Sequence, residues 1–344
     1  VVEEAIKSPT IFSNSVLEVH RTNEHVFPVL IPESIDPPLH HKYRTALAPM
    51  FSPRAVATFE GKFRDRASAY VDRIVGKKEV DFMEVVGRPL PADFFLALMD
   101  IPEDLHQQLT EALIVSTFTM PSDDPTGELR MRAAQVINDS IAALVAGKQR
   151  QPGDDIFSQI MKREVDGRLL NEEELISIAT LLASAGVETT GGSLGYIFEF
   201  LASNPEQRQQ INENLDNLVP PIEELLRKFP VANSSRVVME DIDFHGVELR
   251  RGDRVVINRI GANRDPRLVE NGDQVDLFRK FNKHATFGDG IHTCLGSHVA
   301  RREIRLALEE WHKRIPNYRL AEGYVPHHHV GITISPSTLP LILE

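Results

Sequence analysis

A mainly α fold with a smaller β part is what this sequence predicts, in a single domain spanning residues 1–344. Three observations carry it. Over residues 58–150 and again over 171–203, apolar side chains recur at helical intervals. Beyond Pro230 the pattern changes to β-like runs at 236–239 and 255–257, punctuated by turns at His245-Gly246 and Arg251-Gly252-Asp253. About 42% of residues are hydrophobic, enough for a sizeable core, and no linker-like shift in composition divides the chain.

In order, residues 1–8 read as a short helix that Ser8-Pro9-Thr10 breaks, and 13–35 as a loop. Asp36-Pro37-Pro38 starts a helix, with proline in the first turn, where its missing N–H costs nothing. His40 and Arg44 lie four apart on one face of it. Phe63, Ala67, Tyr70, Val71 and Ile74 make an apolar stripe, and a further helix runs through 94–98 and ends before Ile101-Pro102. Residues 120–127 form a polar, breaker-rich connector. After the Asp166-Gly167 turn, Asn171 with Glu174 makes a capping box for a helix reaching to about Ser203. Such a helix is roughly 48 Å long and crosses the whole domain. Its centre, Ala185-Gly186-Val187-Glu188-Thr189-Thr190, places a carboxylate and a glycine in an apolar helix. Each is locally costly, so the pair points to function, the alternative being a tilted helix with Glu188 reaching solvent. Pro220-Pro221 opens another helix and Pro230 ends it; within it Glu224 and Arg227 have the spacing of an ordinary surface ion pair.

Net charge is −12, which argues against a nucleic-acid partner. No apolar run is long enough to span a membrane and no export signal opens the chain, so the expectation is a cytoplasmic protein. His327, His328 and His329 alternate faces in a strand, which prevents joint ligation of one ion; they are expected as exposed strand or mouth residues. The lone cysteine, Cys294, excludes an intramolecular disulfide and a multi-cysteine zinc site. Gly288, Gly290 and Gly296 flank it and a helical pattern follows, so the sulfur precedes a helix N-terminus, which favours a thiolate. Spacing leaves nucleophile and metal ligand equally open.

Phe287-Gly-Asp-Gly290-Ile-His292-Thr-Cys294-Leu-Gly296 resembles the haem-binding loop of the cytochromes P-450, Phe-Gly-x-Gly-x-x-x-Cys-x-Gly, at all five fixed positions. The resemblance covers essentially the whole chain. It is strongest from Glu223 onward, where Glu-Glu-Leu-Leu-Arg, Phe-His-Gly-Val and Cys-Leu-Gly-x-His-x-Ala-Arg-Arg-Glu are similar to the soluble bacterial camphor-hydroxylase branch. It implies the cytochrome P-450 fold, here without the N-terminal helix and two strands that family members carry ahead of this point. It also implies haem b with Cys294 as the axial ligand of the iron, whose thiolate favours O–O cleavage. Phe287, Gly288 and Gly296 would shape the loop. His40 and Arg44 would bind one haem propionate, Arg236 and His292 the other.

By the same resemblance, Gly186 makes room for dioxygen, Thr189 hydrogen-bonds it, and Glu188 relays protons. Glu224, Arg227 and Arg279 hold the segment that presents the cysteine, and Asn263-Arg264-Asp265-Pro266 matches a structural motif. The 120–127 connector falls where the family has a mobile lid. Pocket candidates by position are Ala185, Val187, Ala232, Ile332 and Thr333. The branch's ketone-holding tyrosine has no counterpart in residues 1–42, where Pro28 takes its place, so a small apolar, terpenoid-like substrate held by shape is expected. The implied activity is a monooxygenase using O2 and electrons from a ferredoxin with its reductase, docked by His41, Lys42, Lys280 and Lys283, in a monomer. The alternatives are a peroxide-driven peroxygenase, a non-catalytic haem-binding sensor or carrier, and a cysteine hydrolase in which His292 activates Cys294.

Overall fold

The computed structural model describes residues 1–15, 29–119, 122–330 and 333–344. Helix α1 (Val2–Ile6) buries Ala5 and Ile6 and leads into β1 (Phe12–Ser13). Helix α2 (Leu39–Leu47) begins one residue later than the proline signal suggests, with Pro38 at its N-cap. It buries His40, Tyr43 and Leu47. Ser52 caps α3 (Pro53–Ala57) through a side-chain bond from the Ala55 N–H. In α4 (Glu60–Asp72) the stripe residues Phe63, Ala67 and Val71 are buried, while Tyr70 is only half-buried.

The helical reading of 58–150 needs one correction. A strand, β2 (Glu79–Asp81), interrupts it before α5 (Pro89–Met99), α6 (His106–Phe118) and α7 (Glu128–Arg150). Three residues form a strand here because they pair with Pro340–Leu343 at the far end of the chain, which no local periodicity reveals. A short helix, α8 (Ile156–Ile160), and the hairpin β3 (Glu164–Val165) and β4 (Arg168–Leu169) follow.

Helix α9 (Glu172–Ser203) has the expected capping box: Asn171 Oδ1 accepts from the Glu174 N–H at 2.9 Å, and Glu174 Oε2 accepts from the Asn171 N–H at 2.7 Å. By length and apolar composition α9 qualifies as a membrane span, contrary to the expectation that no run does. Its tertiary setting is that of a core helix, since Leu194, Ile197, Phe198 and Leu201 belong to the main hydrophobic core.

Next come α10 (Pro205–Glu213), α11 (Val219–Lys228), β5 (Ser234–Val238), β6 (Ile242–Phe244), β7 (Val247–Leu249), β8 (Arg254–Ile257) and α12 (Arg259–Ala262). Helix α13 (Ser297–His312) starts directly after Gly296. Strands β9 (Tyr318–Leu320), β10 (His328–Val330), β11 (Ile334–Pro336) and β12 (Pro340–Leu343) close the chain. The sheets are small and antiparallel: β1-β5-β8, β2-β12-β9, and the hairpins β6-β7 and β10-β11. Helices α9 and α13 meet in the core, where Phe198 packs on Phe82 with ring centroids 4.1 Å apart and on Trp311 at 5.0 Å. Burying side chains of this size contributes roughly 1.5–3 kcal/mol each and fixes the two helices that wall the site.

Candidate functional site

An internal cavity lies between α9, α13, the Cys294 loop and the α2 segment, with about 280 Å³ open to the centres of water molecules. Cys294 has accessible surface although protein surrounds it, because that surface faces the cavity. Its loop is built from backbone geometry. Gly288 (φ 73°) and Gly290 (φ 66°) take left-handed conformations that side-chain-bearing residues disfavour. This lets the chain fold back so that the Cys294 N–H donates to the Phe287 carbonyl at 2.7 Å. The guanidinium of Arg301, on α13, lies 4.3 Å from the Phe287 ring centroid and clamps the loop to the helix behind it. Burial pushes the Cys294 thiol up, against the expectation from its place before a helix. The Gly296 N–H and then Arg44, Arg259 and Arg301 pull in the other direction.

The loop is tied down from beneath by the Glu224 centre. Glu224 and Arg227 have no exposed side-chain surface. Glu224 accepts two bonds from Arg227, both at 2.8 Å, and others from Arg279 Nε at 3.1 Å, Asn282 Nδ2 at 3.0 Å and the Asp276 N–H at 3.0 Å. Arg227 also donates to the Asn263, Gly272 and Gln274 carbonyls. Asn263 in turn accepts from the Ala285 N–H at 2.7 Å and donates to the Thr286 hydroxyl at 2.9 Å, at the loop's entrance. What spacing alone reads as a surface ion pair is therefore a buried hub.

Basic side chains collect on one side of the cavity. His40, Arg44, His292 and Arg259 line it, and the His40 and His292 rings pack 4.2 Å apart. Burial, then His40, Arg236 and Arg44, press His292 down to about 3. Burial and then Arg44 also lower His40, with Asp36 opposing. Arg236 is placed differently from the expectation. It is buried behind the cavity wall and donates to Asn14 Oδ1 at 2.9 Å. The cation that reaches the cavity from this sheet is Arg259, the first residue of α12, held by the Ala232 carbonyl at 2.9 Å and Ser234 Oγ at 3.0 Å. No sequence pattern singled out Arg259. Glu33 also lines the cavity, its carboxyl raised by burial and lowered by Arg236 and Arg259.

On the α9 wall, Ala185, Gly186, Thr189, Thr190 and Ser193 face the cavity. A Cβ on Gly186 would meet nothing within 4 Å, so this glycine leaves room where any side chain would project. The Thr189 hydroxyl donates to the Ala185 carbonyl at 2.8 Å, which leaves its lone pairs free toward the cavity. Glu188 sits one step round the helix, off the cavity wall, and burial raises its carboxyl to about 7. Ala232 lines the cavity as expected. Val187 does not, being fully buried in the core, and Thr333 is buried one bridge away from Ala232. Gly288 shapes the loop without lining the cavity, whereas Phe287 and Gly296 do line it. Ile332 lies outside the described residues, as do Pro28, Met120 and Pro121. Sequence reasoning also missed Glu303, a fully enclosed carboxyl on α13 that burial raises to about 8 and that hydrogen-bonds Thr190.

Haem can be tested against this donor set. Among the described residues no cluster of three His, Cys, Asp or Glu side chains could hold a bare metal ion, so a metal at Cys294 must arrive with its other ligands. His40 Nδ1, His292 Nε2 and Arg259 Nε are buried without a hydrogen-bond partner. Unpartnered nitrogens beside the Arg44 and Arg259 charges call for an anion. A metal-bearing macrocycle with acidic side arms meets both requirements. No bond joins His292 Nε2 to Cys294, so the pairing that a cysteine hydrolase needs is not formed.

Comparisons with known proteins place the chain in a family. The cytochrome P450 family model matches residues 82–311. The probable cytochrome P450 127A1 of Sinorhizobium fredii is 34% identical over 303 residues, covering 88% of this chain and 72% of that protein. Cytochrome P450(MEG) of Priestia megaterium is 34% identical over 311 residues, covering 85% and 75%. The crystal structure of cytochrome P450 CYP101C1 superposes with a TM-score of 0.89 at 26% identity, covering 99% of this chain and 85% of that one. With a helix-rich fold, a single thiol opening onto a cation-rimmed cavity and a family match over most of its length, this chain belongs to the cytochrome P450 family, the haem-b-dependent monooxygenases.

Proposed function

We propose that this monooxygenase hydroxylates a small apolar, terpenoid-like molecule, with Cys294 as the axial ligand and electrons delivered by a ferredoxin and its reductase. One observation carries the reading: Cys294 and the Gly186–Thr189 face of α9 line the same cavity. When bound through a thiolate, haem supplies the activation of dioxygen that inserts one oxygen atom into a C–H bond. Arg44, His40, His292 and Arg259 would take up its carboxylates, with Arg236 adding charge from behind. Arginine suits this because its fork donates two parallel bonds to a carboxylate.

The apolar substrate follows from the rest of the wall, where Pro91, Phe95, Leu98, Leu181, Leu182 and Val299 offer shape and no hydrogen bonds. These side chains exclude water, which strengthens every polar contact that remains. The Thr189 hydroxyl would orient dioxygen and receive protons by way of Glu188. The intact acid and alcohol favour oxygen-driven over peroxide-driven chemistry. A docking face for an acidic ferredoxin is supported by Lys280 and Lys283, both exposed beside the Cys294 loop. Lys283 also meets Glu3 at 3.4 Å, and Lys42 is paired with Asp166 at 2.7 Å. We take the chain to act as a single-domain cytoplasmic monomer.

The absorption spectrum of the reduced, carbon-monoxide-bound holoprotein is the test. The expected Soret band is that of a thiolate-ligated haem, lost in Cys294→Ser. A band at the position of histidine-ligated haem in the unaltered protein would overturn the assignment of Cys294. A low-to-high-spin shift on adding terpenoids, absent with polar analogues, tests the substrate class.

A further inference from the structure

The C-terminal hairpin brings a histidine to Glu188. Two glycines of α9, Gly192 and Gly195, allow it. A Cβ on Gly192 would lie 3.0 Å from the Ile334 carbonyl and 3.1 Å from Ser335 Cβ, and one on Gly195 would lie 2.9 Å from Pro336 Cδ. Gly191 packs in the same way on the Gly87 backbone, beside Arg88. Strand β11 therefore lies directly on the helix, and its partner β10 is carried along in the register His329↔Ser335.

Of the three adjacent histidines, expected together as exposed residues, His327 and His328 are exposed and His329 turns inward with 12% of its side chain accessible. Its ring packs edge-on against Phe118, and its Nε2 lies 3.8 Å from Glu188 Oε1. Among the described residues this is the only ionic partner of Glu188. His329 Nδ1 is buried without a hydrogen bond, which leaves Nε2 as the nitrogen that exchanges protons.

We propose that His329 passes protons to Glu188, the two side chains forming the outer limb of a path that ends at Thr189; this rests on the reading of Glu188 and Thr189 as the acid and alcohol of the monooxygenase. In the step, the Nε2–H bond breaks and an Oε1–H bond forms. The imidazole is left neutral and recovers its proton from solvent water. The electrons and dioxygen of turnover enter by the family's established reaction, which consumes protons along with them.

The groups facing the pair support this direction. Burial alone raises Glu188 to about 7. Burial and then the Arg88 charge, from the segment before α5, lower His329. Arg88 is itself held by Phe118, with its guanidinium 5.1 Å from that ring centroid, and by the Ser337 carbonyl. His328 points elsewhere, to the Tyr196 hydroxyl at 3.0 Å, near Glu199. Transfer from imidazolium to carboxylate is thus downhill, since burial and Arg88 lower the donor and burial raises the acceptor.

Two measurements on the holoprotein test the proposal. The first is NADH-driven oxygen consumption through a purified ferredoxin and its reductase, with limonene as the probe substrate. His329→Gln is expected to lower the rate at least about fivefold and to flatten its dependence between about pH 6 and 8. Glu188→Gln is expected to fall as far, and the double variant no further than Glu188→Gln. Should His329→Gln keep the rate and profile while Glu188→Gln loses them, the relay is overturned and the role of Glu188 stands. Should both variants match the unaltered protein, the acid–alcohol reading falls as well. The second is an NMR titration of His329 in the reduced, carbon-monoxide-bound protein, which does not depend on turnover. Glu188→Gln is expected to lower the His329 midpoint, and an unchanged midpoint overturns the coupling.

Discussion

Replacing Glu224 by Gln keeps the volume of the side chain and removes one negative charge from the centre that holds the cysteine loop. In the native protein burial would raise this carboxyl, but Arg227, the Asp276 N–H and Arg279 hold it below the usual carboxylate range. After the change the Arg227 guanidinium keeps its three backbone carbonyls. It loses its counter-charge at a site with no solvent exposure. Breaking a buried pair in this way costs about 3–5 kcal/mol, set against a net stability of roughly 5–15 kcal/mol for a folded domain. Arg279 is slightly exposed, and without it Glu224 still keeps both bonds from Arg227, so Arg279→Gln should cost less. Urea unfolding of the two holoproteins, followed by circular dichroism, measures both. A loss below about 1 kcal/mol for Glu224→Gln, the range of exposed pairs, would refute the claim that this hub is a buried structural centre. So would a larger loss for Arg279→Gln.

Gly192→Ala should destabilise the protein by about 1–3 kcal/mol, because its methyl meets backbone and a packed side chain; unchanged thermal unfolding would contradict the seating of the hairpin on α9. Gly186→Ala should instead leave stability level or raise it by up to about 1 kcal/mol, since the methyl enters open space. The same methyl narrows the cavity, so carbon-monoxide association to the reduced protein should slow. Glu223 is held at about 2: burial opposes this, but Arg301 and then His284 outweigh it. Its folded value lies below the unfolded one of about 4.3. The associated stability is therefore present above about pH 4 and is lost as pH falls toward 2. Glu223→Gln should flatten that acid limb in unfolding curves collected across the range, and an unchanged slope would count against it.

The sequence by itself determined the elements whose signals are local. The Asn171–Glu174 capping box, the prolines bounding α11, the His245-Gly246 turn and the glycines around Cys294 depend on neighbours a few residues away, so the chain displays them directly. The cysteine loop also carried the family. Tertiary structure decided what depends on chain segments far apart. Strand β2 exists because the C-terminus pairs with it; Arg259 rather than Arg236 reaches the cavity because α12 turns inward where β5 does not. Glu224 and Arg227 look like surface decoration until the Asn263 and Asp276 segments fold over them. His329 differs from its two neighbours only because a glycine track lets one hairpin face press on α9. Periodicity reports which face of an element is apolar, but which partner covers that face is set by long-range packing and is not written in any local stretch.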